Sequence, residues 1–134
     1  MAFMIYSVDD GHVPAWEYLP ASNGLVPKAG MALTQTSGEL GVAAGSVKPT
    51  YIAMVEKDTA CAKGDIIPVI RVTPDIVFAT SNTAAFSSVT LGSKVTTSAG
   101  LQVTTSTSSG VAEVIAVDDK AKAGANGTVL VRFA

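Results

Sequence analysis

Apolar and polar positions alternate with a period of two through much of the chain. The clearest case is residues 111–117, where Glu113 and the residues at 111 and 115 fall on one face and the residues between them on the other. Short apolar runs are separated every dozen residues or so by Gly, Pro, Asn or Asp, a spacing typical of sandwiches and barrels. The pattern therefore predicts an all-β fold with strands at residues 16–19, 31–34, 50–55, 66–72, 76–80, 94–97, 102–105, 112–117 and 128–133.

Helix is predicted only as single turns, because no long segment has the helical period. The candidates are residues 58–62, residues 119–123, and residues 83–86 with Asn82 as their N-cap. Pro68 interrupts the strongest apolar run, and proline within a sheet is confined largely to edge strands and bulges. The strand that contains Pro68 is therefore predicted to lie at an edge or to be bulged.

The chain also repeats one order of elements. The segment that begins at Ala29-Gly30 aligns with the one that begins at Ala99-Gly100, and each is followed by a strand, a charged turn, a glycine and a last strand. This order predicts a small β-barrel or sandwich built from two similar β units, each covering the other's sheet edges. The expected organisation is an extended N-terminal arm at residues 1–23 and one β domain at residues 24–134. Its halves are residues 24–72 and 92–134, and residues 73–91 link them.

Composition narrows the classes of function. In 134 residues, nine Lys and Arg stand against eleven Asp and Glu, for a net charge of −2. No basic field is present to attract nucleic acid or an anionic membrane, so neither is predicted as a partner. Cys61 is the only cysteine and excludes an internal disulfide. Residues 1–8 are apolar but carry no positive charge and end at two aspartates, so no export signal is predicted.

One short segment carries side chains that could bind a metal ion or act in catalysis. Asp9, Asp10 and His12 place two carboxylates beside the only imidazole, types that bind divalent metal or act as general base. A single histidine without further ligands makes a poor site, and Asp-Asp-Gly is an ordinary turn sequence. No nucleophile motif or phosphate-binding glycine loop accompanies it. The sequence therefore predicts a protein that is not an enzyme, with no catalytic residue, no metal ligand and no cofactor.

The N-terminal residues hold the most informative side chains, because the chain is otherwise poor in aromatics. Aromatic side chains dominate interface energetics when they enter a pocket. The sequence therefore predicts that this segment contacts a partner, with the alternative that it folds back and completes its own core. The candidate contact residues are Phe3, Ile5, Tyr6, Trp16 and Tyr18.

Three segments carry a family resemblance: residues 25–33 (LVPKAGMAL), residues 60–69 (ACAKGDIIPV) and residues 129–133 (VLVRF). In these, and in the order of elements across most of residues 16–134, the chain resembles the head decoration (capsid cement) proteins of tailed bacteriophages. The resemblance implies a structural virion protein, made in the host cytoplasm, that binds the outside of an expanded capsid and bridges its capsomers. The implied partners are the major capsid protein and sister subunits in a homotrimer.

Two other classes fit the same composition. One is a different β-rich virion component, such as a tail-tube or head-completion protein. The other is a small carbohydrate-binding or adhesin module, which would need a row of exposed aromatic side chains. The sequence alone leaves these alternatives open.

Overall fold

The structure is a computed structural model and describes residues 2–134. It is nearly all β, with 38% of residues in strands and 4% in helix, which confirms the predicted fold class. The elements are β1 Met4–Val8, β2 Glu17–Pro20, β3 Ala32–Thr36, β4 Glu39–Val42, β5 Tyr51–Ala53, β6 Ile66–Arg71, β7 Ile76–Asn82, β8 Lys94–Val95, β9 Thr97–Ser98, β10 Gln102–Val103, β11 Ala112–Val117, α1 Asp119–Ala123 and β12 Val129–Arg132.

The strands form two barrels, one after the other along the chain. The first barrel is a five-stranded sheet in the order β2-β6-β5-β3-β4. A parallel bridge between Ala21, which follows β2, and Leu40 in β4 brings the two ends of this order together. Every second side chain of a strand points to the same face, so the curved sheet encloses one set of apolar residues. That core consists of Ala21, Leu25, Met31, Leu33, Leu40, Tyr51, Ala53, Cys61, Ile67 and Val69.

The second barrel follows the order β8-β11-β12-β7-β10-β9. Its first and last members, β8 and β9, are consecutive pieces of residues 94–98, so this sheet also returns to its starting strand. β1 lies outside the ring and pairs antiparallel with β7. Because β7 residues 78 and 79 pair with both β1 and β12, these two strands lie on opposite edges of β7.

The two barrels share one topology when β8 and β9 are counted as a single strand. In each, the first strand pairs with the fifth, the fifth with the fourth, the fourth with the second and the second with the third. The third then returns parallel to the first. Both hairpins between the second and third strands also turn on two residues of positive φ, Ser37-Gly38 and Ala99-Gly100. The chain is therefore built from two similar β units.

The structure moves the boundaries that the sequence predicted for these units. The first strand of one unit is β2, within the expected arm, and the first strand of the other is β7, within the expected linker. The turn that matches Ala99-Gly100 is Ser37-Gly38, and not Ala29-Gly30 as the sequence alignment had it. The predicted alignment of the two units was wrong because β4 was not predicted. This strand is short, half-exposed and contains a glycine.

All nine predicted strands are present, with the run 94–97 divided between β8 and β9, whereas β1 and β4 were not predicted. The expectation that Pro68 marks an edge or a bulge is wrong, since β6 pairs in continuous register with both β2 and β5. The carbonyl of Pro68 accepts a hydrogen bond from Met54, just beyond the end of β5. Proline has no N–H to donate, and on this side of Pro68, beyond the end of β5, no strand residue requires such a donor.

Only one of the three predicted helical turns forms. Asp118 caps α1, since its carboxylate accepts a 2.7 Å hydrogen bond from the N–H of Ala121. Residues 58–62 and 83–86 contain no helix. The side chain of Asn82, expected to cap the second of these, is instead fully buried against the α1 segment.

The barrels share a hydrophobic contact. Ala32, Ile52 and Ile70 pair with one another across β3, β5 and β6, so they form one row on the outside of the first barrel. All three are fully buried and belong to the apolar cluster of the second barrel. This row fixes one face of the first barrel against its neighbour.

Candidate contact surface

Phe3 is a core residue and not a surface anchor. It is 1% exposed, and its ring packs edge-on against Phe133, with centroids 5.3 Å apart, and against Phe78 at 6.4 Å. Its N–H donates to the carbonyl of Gly30 at 3.0 Å. Gly30 has a φ of +85°, and a Cβ there would lie 2.6 Å from the Phe3 carbonyl, so this close approach needs glycine. The fold-back alternative therefore describes Phe3, which leaves the candidate surface.

Ile5 and Tyr6 both lie in β1 but in different surroundings. Ile5 is partly buried and packs against the apolar cluster of the second barrel, which we call the second core. Tyr6 lies at a register shift between Ile5 and Ser7 and is 65% exposed. Its ring borders a groove of about 360 Å³ whose other walls come from β11, β12 and their connection. Of the two, only Tyr6 offers an exposed aromatic surface.

Trp16 and Tyr18 are exposed, at 53% and 64%, and the structure adds a neighbour to them. Tyr18 pairs with Pro68, and Pro20 pairs with Ile66, which is 57% exposed. Leu19 and Ile67 alternate with these residues and point into the first barrel. We call this outer surface the β2–β6 face; its residues are Trp16, Tyr18, Pro20, Ile66 and Pro68.

The sequence missed Ile66 as a surface residue because it lies in the strongest apolar run. Its exposure depends on the pairing of β2 with β6, whose residues are about 50 positions apart in the chain. One signal was present: two adjacent isoleucines in a strand cannot both face the core. The alternation alone does not say which of the two points outward.

Two arginine–carboxylate pairs tie the N-terminal residues to the last strand of each barrel. Arg71 donates from Nε and Nη2 to both carboxylate oxygens of Glu17, at 3.2 and 3.1 Å. Arg132 donates from Nη1 and Nη2 to Asp9, at 2.7 and 3.2 Å, and also to the carbonyl of Pro74. Such two-point contacts hold geometry more firmly than a single ionic contact.

The Asp9 pair predicts a pH dependence of stability. Hydrogen bonding to Arg132 lowers the pKa of Asp9 from its ordinary value of 3.8, so the unfolded chain binds this proton more readily than the folded one. The stabilisation is complete above the ordinary pKa and is lost as the pH falls through the lower, folded pKa. We therefore expect Asp9→Asn to lower the urea midpoint at pH 7, and the difference from wild type to vanish towards pH 2.

The matched control is Asp58→Asn, since Asp58 is exposed and makes no ion pair in the described residues. Its difference from wild type should be small at both pH values. An Asp9→Asn difference that is equal at pH 7 and at low pH would contradict an electrostatic role for the pair.

The Asp9, Asp10 and His12 cluster does not converge on a common point. Asp9 pairs with Arg132, while the N–H of His12 donates to Asp10 at 2.8 Å in an exposed turn. Across residues 2–134, no group of three or more His, Cys, Asp or Glu side chains lies close enough to share a metal ion. In the same part of the chain, no helix has the length and apolar character needed to span a bilayer.

Comparison of the chain with models of known protein families gives no match. Comparison with curated protein sequences gives none either. The candidate surface therefore rests on its own geometry.

Proposed function

We propose that the protein is a structural component of a phage virion that binds the outer surface of the capsid and stabilises the expanded shell. Its partners in this role are the major capsid protein and two further copies of itself. The observation that supports the proposal is the β2–β6 face, on which Trp16, just before β2, and Tyr18 and Ile66, on the paired strands β2 and β6, are exposed. The resemblance in segments 25–33, 60–69 and 129–133 supplies the class of partner.

The physical basis is linkage between binding and assembly. A protein that binds only the assembled, expanded lattice stabilises that lattice by mass action. Anchors fixed on a rigid barrel lose little conformational freedom on binding, which favours affinity. A trimer that touches several capsomers gains effective concentration after its first contact, so modest single contacts add to a firm attachment.

The test is co-sedimentation of the purified protein with expanded, DNA-free shells built from the major capsid protein of the same genome. Trp16→Ser and Ile66→Ser should each weaken binding by about tenfold or more, the effect of losing an interface anchor. Leu91→Ser is the matched control, because Leu91 is equally exposed, at 60%, but belongs to the second unit. No binding by wild type, or equal loss in all three variants, would contradict the proposal.

A further inference from the structure

The two barrels differ at one edge that their shared topology makes equivalent. In the second barrel, β1 covers the edge of β7 along residues 76–79, beside β10. The first barrel has a counterpart of β7, namely β2, and a counterpart of β10, namely β4. None of its strands in the described residues is a counterpart of β1.

Hydrogen bonds locate the equivalent residues. Where the third strand returns to the first, Thr83 donates to the carbonyl of Val103 in the second barrel, and Ser22 donates to that of Leu40 in the first. Val103 pairs with Asn82, and Leu40 pairs with Ala21. β1 covers the positions from three to six residues before Asn82, and the same count back from Ala21 gives residues 15–18.

The backbone groups of Trp16 and Tyr18 point away from β6, towards this edge. Ala21 donates to Asp65 on the β6 side, and Ser22 donates to Leu40 on the β4 side. Because successive residues of a strand direct their backbone groups to opposite edges, Tyr18 shares the direction of Ser22, away from β6. Trp16 continues the same alternation. No backbone pairing on this edge involves Trp16 or Tyr18 in the described structure.

Burial shows the same difference. Val77, which β1 covers, is buried, whereas its counterpart Trp16 is exposed. The carboxylate at this edge, Glu17, is already neutralised by Arg71. β1 itself has the sequence MIYSV and carries no charge. The open edge therefore matches an extended, uncharged strand of about four residues.

We propose that the edge at residues 15–18 binds an extended, uncharged segment of the shell protein as an added antiparallel strand, the counterpart of β1. Added strands gain affinity from main-chain hydrogen bonds and specificity from alternate side chains. The inference rests on the proposed function, which supplies the partner. A second copy is disfavoured as the occupant, since its own β1 is paired with β7 and its Asp9 is held by Arg132.

The test compares Tyr18→Pro with Tyr18→Ala in binding to the same expanded shells. Both variants lack the phenol ring, but only proline lacks the outward N–H, which makes no hydrogen bond within residues 2–134. We expect Tyr18→Pro to bind about fivefold more weakly than Tyr18→Ala, the effect of one lost hydrogen bond. Circular dichroism and the urea midpoint check that both variants are folded.

Hydrogen exchange of the wild-type amides provides a second readout that needs no variant. The Tyr18 and Trp16 amides should exchange quickly in the free protein and slowly on the shell. Equal binding by the two variants with no gain of protection would overturn the added strand while leaving shell binding intact. Absence of wild-type binding to shells would remove both proposals. Concentration-dependent dimerisation lost in Tyr18→Pro alone would make a second copy the occupant and also overturn this inference.

Discussion

Replacing Asn82 with alanine should lower the free energy of unfolding by about 3 kcal/mol or more. The buried Nδ2 group lies within hydrogen-bond distance of the carbonyls of Ala84, Ala121 and Gly124, at 2.6, 2.9 and 3.0 Å. Its Oδ1 accepts the N–H of Gly127 at 3.0 Å. Alanine would remove all four contacts and leave the buried N–H of Gly127 without its acceptor, whereas the carbonyl of Ala121 would keep the N–H of Phe86. Each buried group left unpaired costs roughly 1–3 kcal/mol.

Thermal and urea unfolding measure this effect, and we expect the midpoint temperature to fall by roughly 10 °C. Asn23→Ala is the control, because Asn23 is exposed and the same substitution there should change stability by less than about 0.5 kcal/mol. Similar losses at the two positions would contradict the role given to Asn82 in joining β7 to the α1 segment.

Phe3→Ala is the second substitution with a large expected effect, a loss of about 3–5 kcal/mol of stability. Phe3 fills the space beside Phe78 and Phe133, and its removal would leave a cavity in the second core. Tyr6→Ala is the matched control three residues later, and its exposed ring should leave the urea midpoint nearly unchanged. If the two variants were equally stable, Phe3 would not belong to the core.

This pair of variants also shows why truncation is a poor test of the contact surface. Removing residues 2–12 would delete Phe3 and β1 together, so it would open the second core as well as the surface. Loss of shell binding after such a deletion could not be assigned to the exposed residues. Point substitutions on the β2–β6 face separate the two effects.

The sequence predicted the strands well where alternation and turn residues agree. Residues 112–117 form β11 with the predicted bounds, because the alternation of side chains within the segment already distinguishes the two faces of the strand. β4 was missed, since Gly41 and an exposed valine weaken its pattern and its strand conformation depends on pairing with β3. The strand conformation of β4 is therefore set by its tertiary pairing with β3, because the local sequence has no clear preference.

The contact surface was predictable only in part, for a related reason. Trp16 immediately precedes β2, Tyr18 lies within it, and both are exposed as predicted contact residues should be. Phe3 has the same residue chemistry but enters a core formed by β7 and the residue that follows β12, more than 70 positions away. No periodicity within the first 23 residues distinguishes an aromatic that meets such distant partners from one that stays at the surface.

The most direct measurement for the central claim is calorimetry of expanded, DNA-free shells with and without saturating protein. A protein that binds the assembled shell and not its separated subunits raises the temperature at which the shell comes apart. We therefore expect the shell transition to move to higher temperature with wild type and much less with Trp16→Ser. A transition at the same temperature with and without the protein would contradict a role in stabilising the capsid.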